Sequence, residues 1–458
     1  MNPLPIVYLH LETGIFPIFL AMVLLMQLAR ASEPGHYTQS GQRQLLLLVG
    51  GFILLTVLFG ALLYNMSPLL AVELAAGVIL SLMHPANALC FFVHLLYLRP
   101  WEIATTNPLL LALPRGLAML CFLAWLIHPG LHGKPSPPAH KALILLLAFS
   151  AWLFLTTFMT PDIADTQSDW FSVYFKSLVV FVMCLFFIDS ERSVSEFQLT
   201  IVISALALMV VRLYQYHVEG PDLVRLQSSG TIGDSNDLAA VVVMALPFAL
   251  LPVFRKSVGL GQQIMGVLFS GLSILVIWLS QSRGAMLALA AQVLMTQVLR
   301  AARIKWLSIL LMGGVLAVGY TVALRAIPRD SEDMEASQQG RIGYWKAAIG
   351  MTVHHPIFGV GYGEFPANVD EHMTAHSSWF LAFAESGIPG GLLFISFFVT
   401  VLRTAWHNRL QRPAQLYALV GYGVAMSFLS HTYLMDVYLL AGLVMSSDSL
   451  RNMVPDVL

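Results

Sequence analysis

The chain has 458 residues, of which 57% are hydrophobic and only 11% are charged, and its mean hydropathy is +0.75. Soluble domains carry about 25% charged residues, so this composition excludes a soluble globular protein and predicts a chain that crosses a membrane many times. The formal net charge of −1 and the lack of a basic run argue against nucleic-acid binding.

Hydrophobic segments of about 20 residues, the length that crosses a bilayer as a helix, follow one another along the chain. The pattern is weakest between residues 67 and 128, where prolines interrupt it and half-helices or re-entrant segments are an alternative. The sequence predicts an all-α fold, a polytopic transmembrane helical bundle of roughly 12–15 spans with a long, partly helical outer loop. The predicted spans lie near 5–29, 44–64, 67–83, 86–98, 113–128, 141–159, 171–188, 196–216, 236–254, 263–281, 284–300, 306–325, 377–402, 414–430 and 432–449.

The pattern divides the chain into four regions. Residues 1–130 are predicted to form an N-terminal transmembrane region with short or broken spans. Residues 131–325 are predicted to form a core bundle that includes an outer loop at 217–235. A periplasmic loop at 326–376 and a C-terminal three-span bundle at 377–458 complete the predicted organisation.

Lys and Arg in the loops predict the orientation, because cytoplasmic loops carry an excess of these residues. From about residue 130 onward, alternate loops are basic and the loops between them are acidic or mixed. This alternation places the loop 326–376 outside the cytoplasm and the C-terminus inside.

The outer loop 326–376 has three parts. Residues 329–338 are almost all polar and are predicted to be mobile and solvated. Residues 341–353 are predicted to form an amphipathic helix on the membrane surface or on the bundle, because apolar residues recur there at helical spacing. These residues are Ile342, Trp345, Ile349 and Val353. Pro356 ends this helix, and the glycine-rich GVGYGEF follows as a turn.

Basic residues of the predicted outer loops are candidates for binding a diphosphate. Arg225 lies in the loop 217–235, Arg283 in the tight turn QSRGA, and Arg341 opens the amphipathic helix, with Lys346 following. A guanidinium group presents a planar fork to phosphate oxygens and is always charged, which suits this ligand if the loops converge. The alternative is that these side chains extend to lipid headgroups. The tight turn around Arg283 favours a functional role for that residue.

His376 is the candidate general base. It directly precedes the apolar segment SSWFLAF, so it should lie near a helix N-terminus, where the helix dipole disfavours imidazolium. A neutral imidazole can accept a proton. The alternative is a histidine that only caps the helix or rests at the interface. Glu385 follows nine residues later on the same predicted span, where it either supports the site by holding an arginine or ending a polar cavity, or belongs to a structural pair.

Two other kinds of site are not predicted. His354, His355 and His372 are typical of turns, and the chain has neither two histidines on one helix face nor a cysteine partner for a metal. The glycines at 359, 361 and 363 follow no β-strand and precede no Lys-Ser/Thr pair, so nucleotide binding is not expected. Close backbone packing or a sharp turn explains them better, although their N–H groups remain able to face an anion.

The run GRIGYWKAAIGMTVHHPIFGVGYGEF followed by AHSSWFLAFAESGIPGG resembles the signature region of the O-antigen ligase superfamily. That superfamily includes lipopolysaccharide O-antigen ligases, related O-antigen polymerases and bacterial protein O-oligosaccharyltransferases. Upstream, GTIGDSNDLAAVVVMALPFAL and SQSRGAMLALA resemble the segments that precede this signature. The resemblance covers about residues 225–430.

The resemblance implies a membrane glycosyltransferase that moves a glycan from undecaprenyl diphosphate to an acceptor hydroxyl, with inversion and without a metal or other cofactor. It implies that His376 is catalytic and that Arg341, and less specifically Arg283 and Arg225, bind the donor diphosphate. The implied partners are the lipid-linked glycan, a glycan, lipid or protein acceptor, and membrane lipids. The implied location is the bacterial inner membrane, with the site on the periplasmic face. Ser377 stands where an asparagine is often found, which leaves the acceptor open.

A transporter is the rival from another class, since many spans with polar breaks can also carry a solute or an ion. Transporters typically have paired charges near mid-membrane and internal pseudo-repeats, and the sequence shows neither clearly. A purely structural subunit would leave the arginines of the outer loops unexplained.

Overall fold

The computed structural model describes residues 15–31, 67–99, 108–128, 135–219, 226, 235–254, 259–299, 331–369 and 373–452. Within these ranges all regular secondary structure is helical, which confirms the predicted all-α fold. The helices are α1 (Phe16–Ala31), α2 (Pro68–Met83), α3 (Pro85–Leu98), α4 (Pro108–Ile127), α5 (Pro137–Thr156), α6 (Ile163–Phe187, with a π-helical turn at Trp170–Tyr174), α7 (Glu191–Glu219), α8 (Ser235–Val253), α9 (Leu260–Ser280), α10 (Arg283–Leu299), α11 (Ser331–His354), α12 (Ser378–His407), α13 (Pro413–Ala425) and α14 (Met435–Arg451).

The helices agree with the predicted spans. Each predicted span that falls within the described residues coincides with one helix, and the predicted spans 44–64 and 306–325 lie outside them. In the described part, six helices are long and apolar enough to cross a membrane, namely α5, α6, α7, α8, α9 and α12. Large apolar side chains such as Ile144 and Leu268 point outward from these helices. Outward apolar side chains need lipid rather than water around them, so the chain is a multi-pass membrane protein.

The helices α2 and α3 are short. α2 has 16 residues and α3 has 14, so α3 is only about 21 Å long, less than the ~30 Å hydrocarbon core of a bilayer. Every residue of α3 is buried, which means that other helices cover this short segment on all sides. His84 joins the two helices, and its Nδ1 accepts a hydrogen bond from the Ala86 N–H at 3.1 Å.

Four helices meet at one end of the bundle. Tyr97, at the end of α3, donates a hydrogen bond to Asp436, at the start of α14. His431, just before α14, contacts Asp237, in the first turn of α8. The start of α12 lies here too, directly after His376. We therefore call this end, where α3 ends and α8, α12 and α14 begin, the His376 end.

The opposite end has its own polar network around Asp448, near the end of α14. The Asp448 carboxylate accepts hydrogen bonds from Ser136, the N-cap of α5, at 2.7 Å and from Asn408, which follows α12, at 2.9 Å. The carboxylate is buried and satisfied, so it fixes these three helices relative to one another.

The helix α11 fills much of the loop 326–376, and it starts earlier than predicted. Its backbone is helical from Ser331, ten residues before the predicted start at residue 341, and the predicted mobility of 329–338 stays a prediction. The sequence there contains Met, Glu, Ala and Gln, which favour helix, and its acidic residues lie near the helix N-terminus, where the macrodipole stabilises negative charge. The predicted helix over 341–353 is confirmed.

The apolar residues of α11 divide between two directions. Trp345 packs toward α12, with its ring centroid 5.6 Å from that of Phe380. Three others are exposed, by 50%, 50% and 69%: Ile342, Ile349 and Val353. The helix thus rests on the bundle through one side and leaves an apolar stripe uncovered.

Candidate active site

His376 has a strained backbone. Its φ is +46°, in the left-handed region that residues other than glycine rarely adopt. Ser377 returns to an extended conformation and is the N-cap of α12, which begins at Ser378. Such strain costs about 1–3 kcal/mol and is concentrated at functional sites. The half-buried imidazole thus lies at the helix N-terminus, where the sequence predicted it.

Arg341 is brought toward His376 by α11. The ring of Tyr344 lies 5.9 Å from the ring of His376, centroid to centroid. Arg341 is half-buried and lies three residues before Tyr344, and residues at this spacing share one face of a helix. Lys346 is exposed and lies two residues after Tyr344, so it points in a different direction. Arg341 therefore lies on the face of α11 that carries Tyr344 toward His376, and Lys346 lies on a different face.

Arg283 reaches the same region through the segment that follows α13. It is the exposed first residue of α10. A Cβ on its neighbour Gly284 would lie 3.1 Å from the Cβ of Phe428, so this turn packs closely on residue 428. The adjacent carbonyl, that of Leu429, accepts a hydrogen bond from the Ser378 hydroxyl at 2.6 Å. The segment Phe428–Leu429 therefore contacts both the start of α10 and the start of α12.

Arg225 and His372 lie outside the described residues. Leu226, which follows Arg225, is buried, and its N–H donates to the carbonyl of Leu279 at 3.3 Å. Leu279 lies at the end of α9, immediately before the turn that carries Arg283. Leu226 therefore lies close to the turn that carries Arg283. The role of Arg225 itself remains a prediction.

Glu385 holds the glycine-rich turn. Its carboxylate is buried in α12, and Oε1 accepts a hydrogen bond from the N–H of Phe365 at 3.1 Å. The Glu385 carboxylate thus bonds to the backbone of the turn that follows α11, and its supporting role in the site stays a prediction. The ring of Tyr362 in the same turn packs against that of Tyr433 at a tilt of 58°, with ring centroids 4.8 Å apart. Burial, with the nearby carboxyl of Glu385, raises the pKa of Tyr362, so its phenol stays neutral at ordinary pH.

The glycine-rich turn inserts into a break in α12. Gly359, Gly361 and Gly363 all have positive φ, as does Gly387 inside α12. In an unbroken helix the N–H of residue 388 would bond to the carbonyl of residue 384. Here the Ala384 carbonyl accepts instead from the Val360 N–H, and the Ile388 N–H donates to the Pro356 carbonyl, both at 2.8 Å. The predicted close packing is confirmed for Gly359 and Gly361, where a Cβ would lie 2.4 Å from the Ala384 carbonyl oxygen and 2.5 Å from Thr160. A Cβ on Gly363 would meet no atom within 4 Å, and its φ of +77° fits the alternative prediction of a sharp turn.

Substituting Gly387 tests this insertion. A Cβ on Gly387 would lie 2.1 Å from the Ile357 carbonyl oxygen, and its φ of +67° is unfavourable for alanine. We expect Gly387→Ala to lower the Tm of the purified protein by several degrees, because left-handed backbone alone costs about 1–2 kcal/mol.

Gly350→Ala is the matched control for this change, since Gly350 is helical and a Cβ there meets no atom within 4 Å. A helical glycine replaced by alanine should leave the Tm unchanged or raise it. Equal Tm values for the two variants would show that the turn does not occupy the break.

His431 holds a polar network that its sequence context does not indicate. Its side chain is buried, with Nε2 2.8 Å from Asp237 Oδ1 and Nδ1 2.7 Å from the hydroxyl of Tyr422. A carboxylate only accepts, so Nε2 carries the proton, and in the neutral ring Nδ1 accepts from Tyr422. Its backbone N–H donates to the Ser378 hydroxyl at 2.8 Å. Because both ring nitrogens are occupied, His431 has no free nitrogen to take a proton from a substrate.

Replacing Asp237 should loosen this network. Asp237→Ala leaves the buried N–H of His431 without its acceptor, which costs about 1–3 kcal/mol, so we expect a lower Tm. Asp165→Ala is the control, because Asp165 is an exposed acid of α6. A Tm for Asp237→Ala that is no lower than that of the control would mean that the pair stabilises nothing.

One comparison with known protein families gives a match that includes part of this site. Residues 268–395 match the family model described as O-antigen ligase. No curated protein matches the chain. The matched range includes Arg283, Arg341 and His376, whereas Arg225 and His431 lie outside it, so the match is shorter than the resemblance over about 225–430. The match confirms the resemblance over residues 268–395, and the chain is a multi-pass membrane protein in which these residues are similar to the O-antigen ligase family.

Proposed function

We propose that this chain is a glycosyltransferase that moves a glycan from polyprenyl (undecaprenyl) diphosphate to an acceptor hydroxyl at the periplasmic face of the bacterial inner membrane. The observation that carries the proposal is the grouping at the His376 end, where the imidazole lies 5.9 Å from Tyr344, one helical turn after Arg341. The O-antigen ligase domain supports glycosyltransferase chemistry in general.

The lipid tail and the diphosphate of the donor have different requirements. Its polyprenyl tail is apolar and lies between spans or in lipid. Its diphosphate needs cations, which Arg341 and Arg283 provide, with Arg225 as a further candidate. Cations placed in advance toward a leaving diphosphate stabilise the negative charge that develops in the transition state, which is commonly the largest contribution to catalysis.

The transfer itself is a single displacement. His376 takes the proton of the acceptor hydroxyl, and that oxygen forms a bond to the anomeric carbon of the donor sugar. The bond between this carbon and the diphosphate oxygen breaks on the opposite side, and the diphosphate leaves with the electron pair. The product is therefore inverted at the anomeric carbon. His376 fits the role of base because its half-buried imidazole lies directly before the N-terminus of α12, and a neutral imidazole can accept a proton.

Ligase, polymerase and protein O-oligosaccharyltransferase activities share this donor and differ in the acceptor. Deleting the protein in its host tests the proposal and separates these activities. We expect a polyprenyl-diphosphate-linked glycan to accumulate and one glycoconjugate to disappear, and the missing conjugate identifies the acceptor. Unchanged lipid-linked glycans, together with solute uptake by the purified protein in liposomes, would favour a transporter instead.

A further inference from the structure

A cavity of about 470 Å³ lies outside the group around His376. It opens between the end of α5 and the turn that follows α11, and its lining includes Met159, His355, Ile357, Glu364 and Asn368. This volume falls in the range of about 300–1,000 Å³ that is typical of small-molecule sites.

One wall of the cavity is held rigidly. Gly359 and Val360 line it, and the N–H of Val360 is fixed to the Ala384 carbonyl in the break of α12. Phe358, also in the lining, stacks on Trp152 with centroids 5.1 Å apart and an interplanar angle of 9°. A wall that is already ordered loses little entropy when a ligand binds.

The cavity adjoins the end of one candidate membrane span and the first turns of another. Met159 is the last residue of the 23-residue span that α5 begins. Ala384 is six residues into α12, so the turn contacts α12 about 9 Å along its axis from Ser378. Met159 and Ile357 are 53% and 57% exposed at the edge of the cavity. The cavity is therefore on the membrane side of His376.

The residues that line the cavity favour a sugar over a diphosphate. None of its described residues is Lys or Arg, and it includes the carboxylate of Glu364, so it disfavours a diphosphate. Glu364, Asn368 and His355 offer hydrogen-bond donors and acceptors to hydroxyl groups. The apolar Met159 and Ile357 adjoin them on the side of the lipid. This combination suits a sugar ring attached to a lipid.

We propose that this cavity binds a sugar ring of a membrane-anchored glycan that serves as acceptor. The acceptor role rests on the proposed function. The glycan of the donor extends beyond its diphosphate and away from its lipid, whereas the sugar of an anchored acceptor approaches from the membrane side. The binding itself is independent of the transfer reaction.

Protection of an introduced thiol measures this binding. Cys90, Cys121 and Cys184 are buried, so a cysteine at an exposed position is the reactive thiol. His355→Cys reports on the cavity, and His354→Cys is the matched control, because His354 is an exposed neighbour outside the lining. The full chain in phospholipid nanodiscs is treated with a maleimide in the presence of dodecyl maltoside, dodecylphosphocholine or free maltose.

We expect dodecyl maltoside to slow modification of His355→Cys about fivefold at roughly four times its Kd, because the rate falls by 1 + [L]/Kd. The control and the other two probes should show no slowing. Equal protection by dodecylphosphocholine would overturn the sugar assignment, and equal protection by maltose would overturn the need for an anchor. No protection by any probe would overturn the site.

A second reporter, Asn368→Cys, gives the same readout if His355→Cys does not fold. The assay contains no donor, so its failure is distinct from failure of the proposed function. Absence of transfer by the wild-type protein would remove the proposed function, whereas transfer without protection would remove only this cavity.

Discussion

Replacing His376 with alanine is expected to abolish glycan transfer while the protein still inserts and accumulates. Loss of a positioned general base typically lowers a rate by about 10²–10⁴-fold. His376 lies at the surface of the bundle end in a half-buried position, so its removal should leave the fold intact. The measurement is the kcat for transfer from a polyprenyl-diphosphate-linked glycan by the purified variant, with Tm recorded in parallel.

His354→Ala is the matched control for this variant. His354 belongs to the same loop and is exposed, and its Nδ1 lies 2.7 Å from the carbonyl oxygen of Gly350 in its own helix. We expect it to retain activity. Full activity in His376→Ala, or equal loss in both variants, would remove His376 as the base.

Replacing Arg341 with alanine is the second change with a large expected effect. The guanidinium group is assigned to the donor diphosphate, where charge grows as the bond breaks, so its loss should lower kcat by about 10²–10³-fold. Arg341→Lys keeps the charge but loses the planar fork, and we expect it to recover only part of the activity. The measurement is transfer over a range of donor concentrations, which separates kcat from KM.

Arg409→Ala controls for the loss of a positive charge. Arg409 follows α12 at the opposite end of the bundle and lies over the ring of Trp406, 4.9 Å from its centroid. It should keep wild-type transfer. Arg341→Ala with unchanged kcat and KM would show that this residue does not contact the donor.

The spans and the glycine-rich turn followed from the sequence because their signals are local. A run of apolar residues determines a membrane helix wherever it occurs, and the glycines at 359, 361 and 363 indicate a tight turn by their lack of a side chain. His376 and Arg341 were identified from motifs that surround each residue directly. All these features depend on neighbours in the chain.

The remaining features depend on partners far away in sequence. Asp237 and His431 are 194 residues apart, and a lone histidine beside an apolar helix gives no sign of its carboxylate. The break in α12 becomes a binding place for the turn only because residues 356 and 360 supply the missing hydrogen bonds. The separation of Lys346 from Arg341 likewise depends on which face of α11 lies against α12, and the sequence did not determine that face.

The most direct test of the central claim is the product of one turnover by the purified protein with a polyprenyl-diphosphate-linked glycan and its acceptor. We expect one polyprenyl diphosphate to be released for each glycan transferred, with the anomeric configuration inverted when the product is examined by NMR. A product with retained configuration, or solute movement without cleavage of the sugar–phosphate bond, would contradict a single displacement at the His376 end.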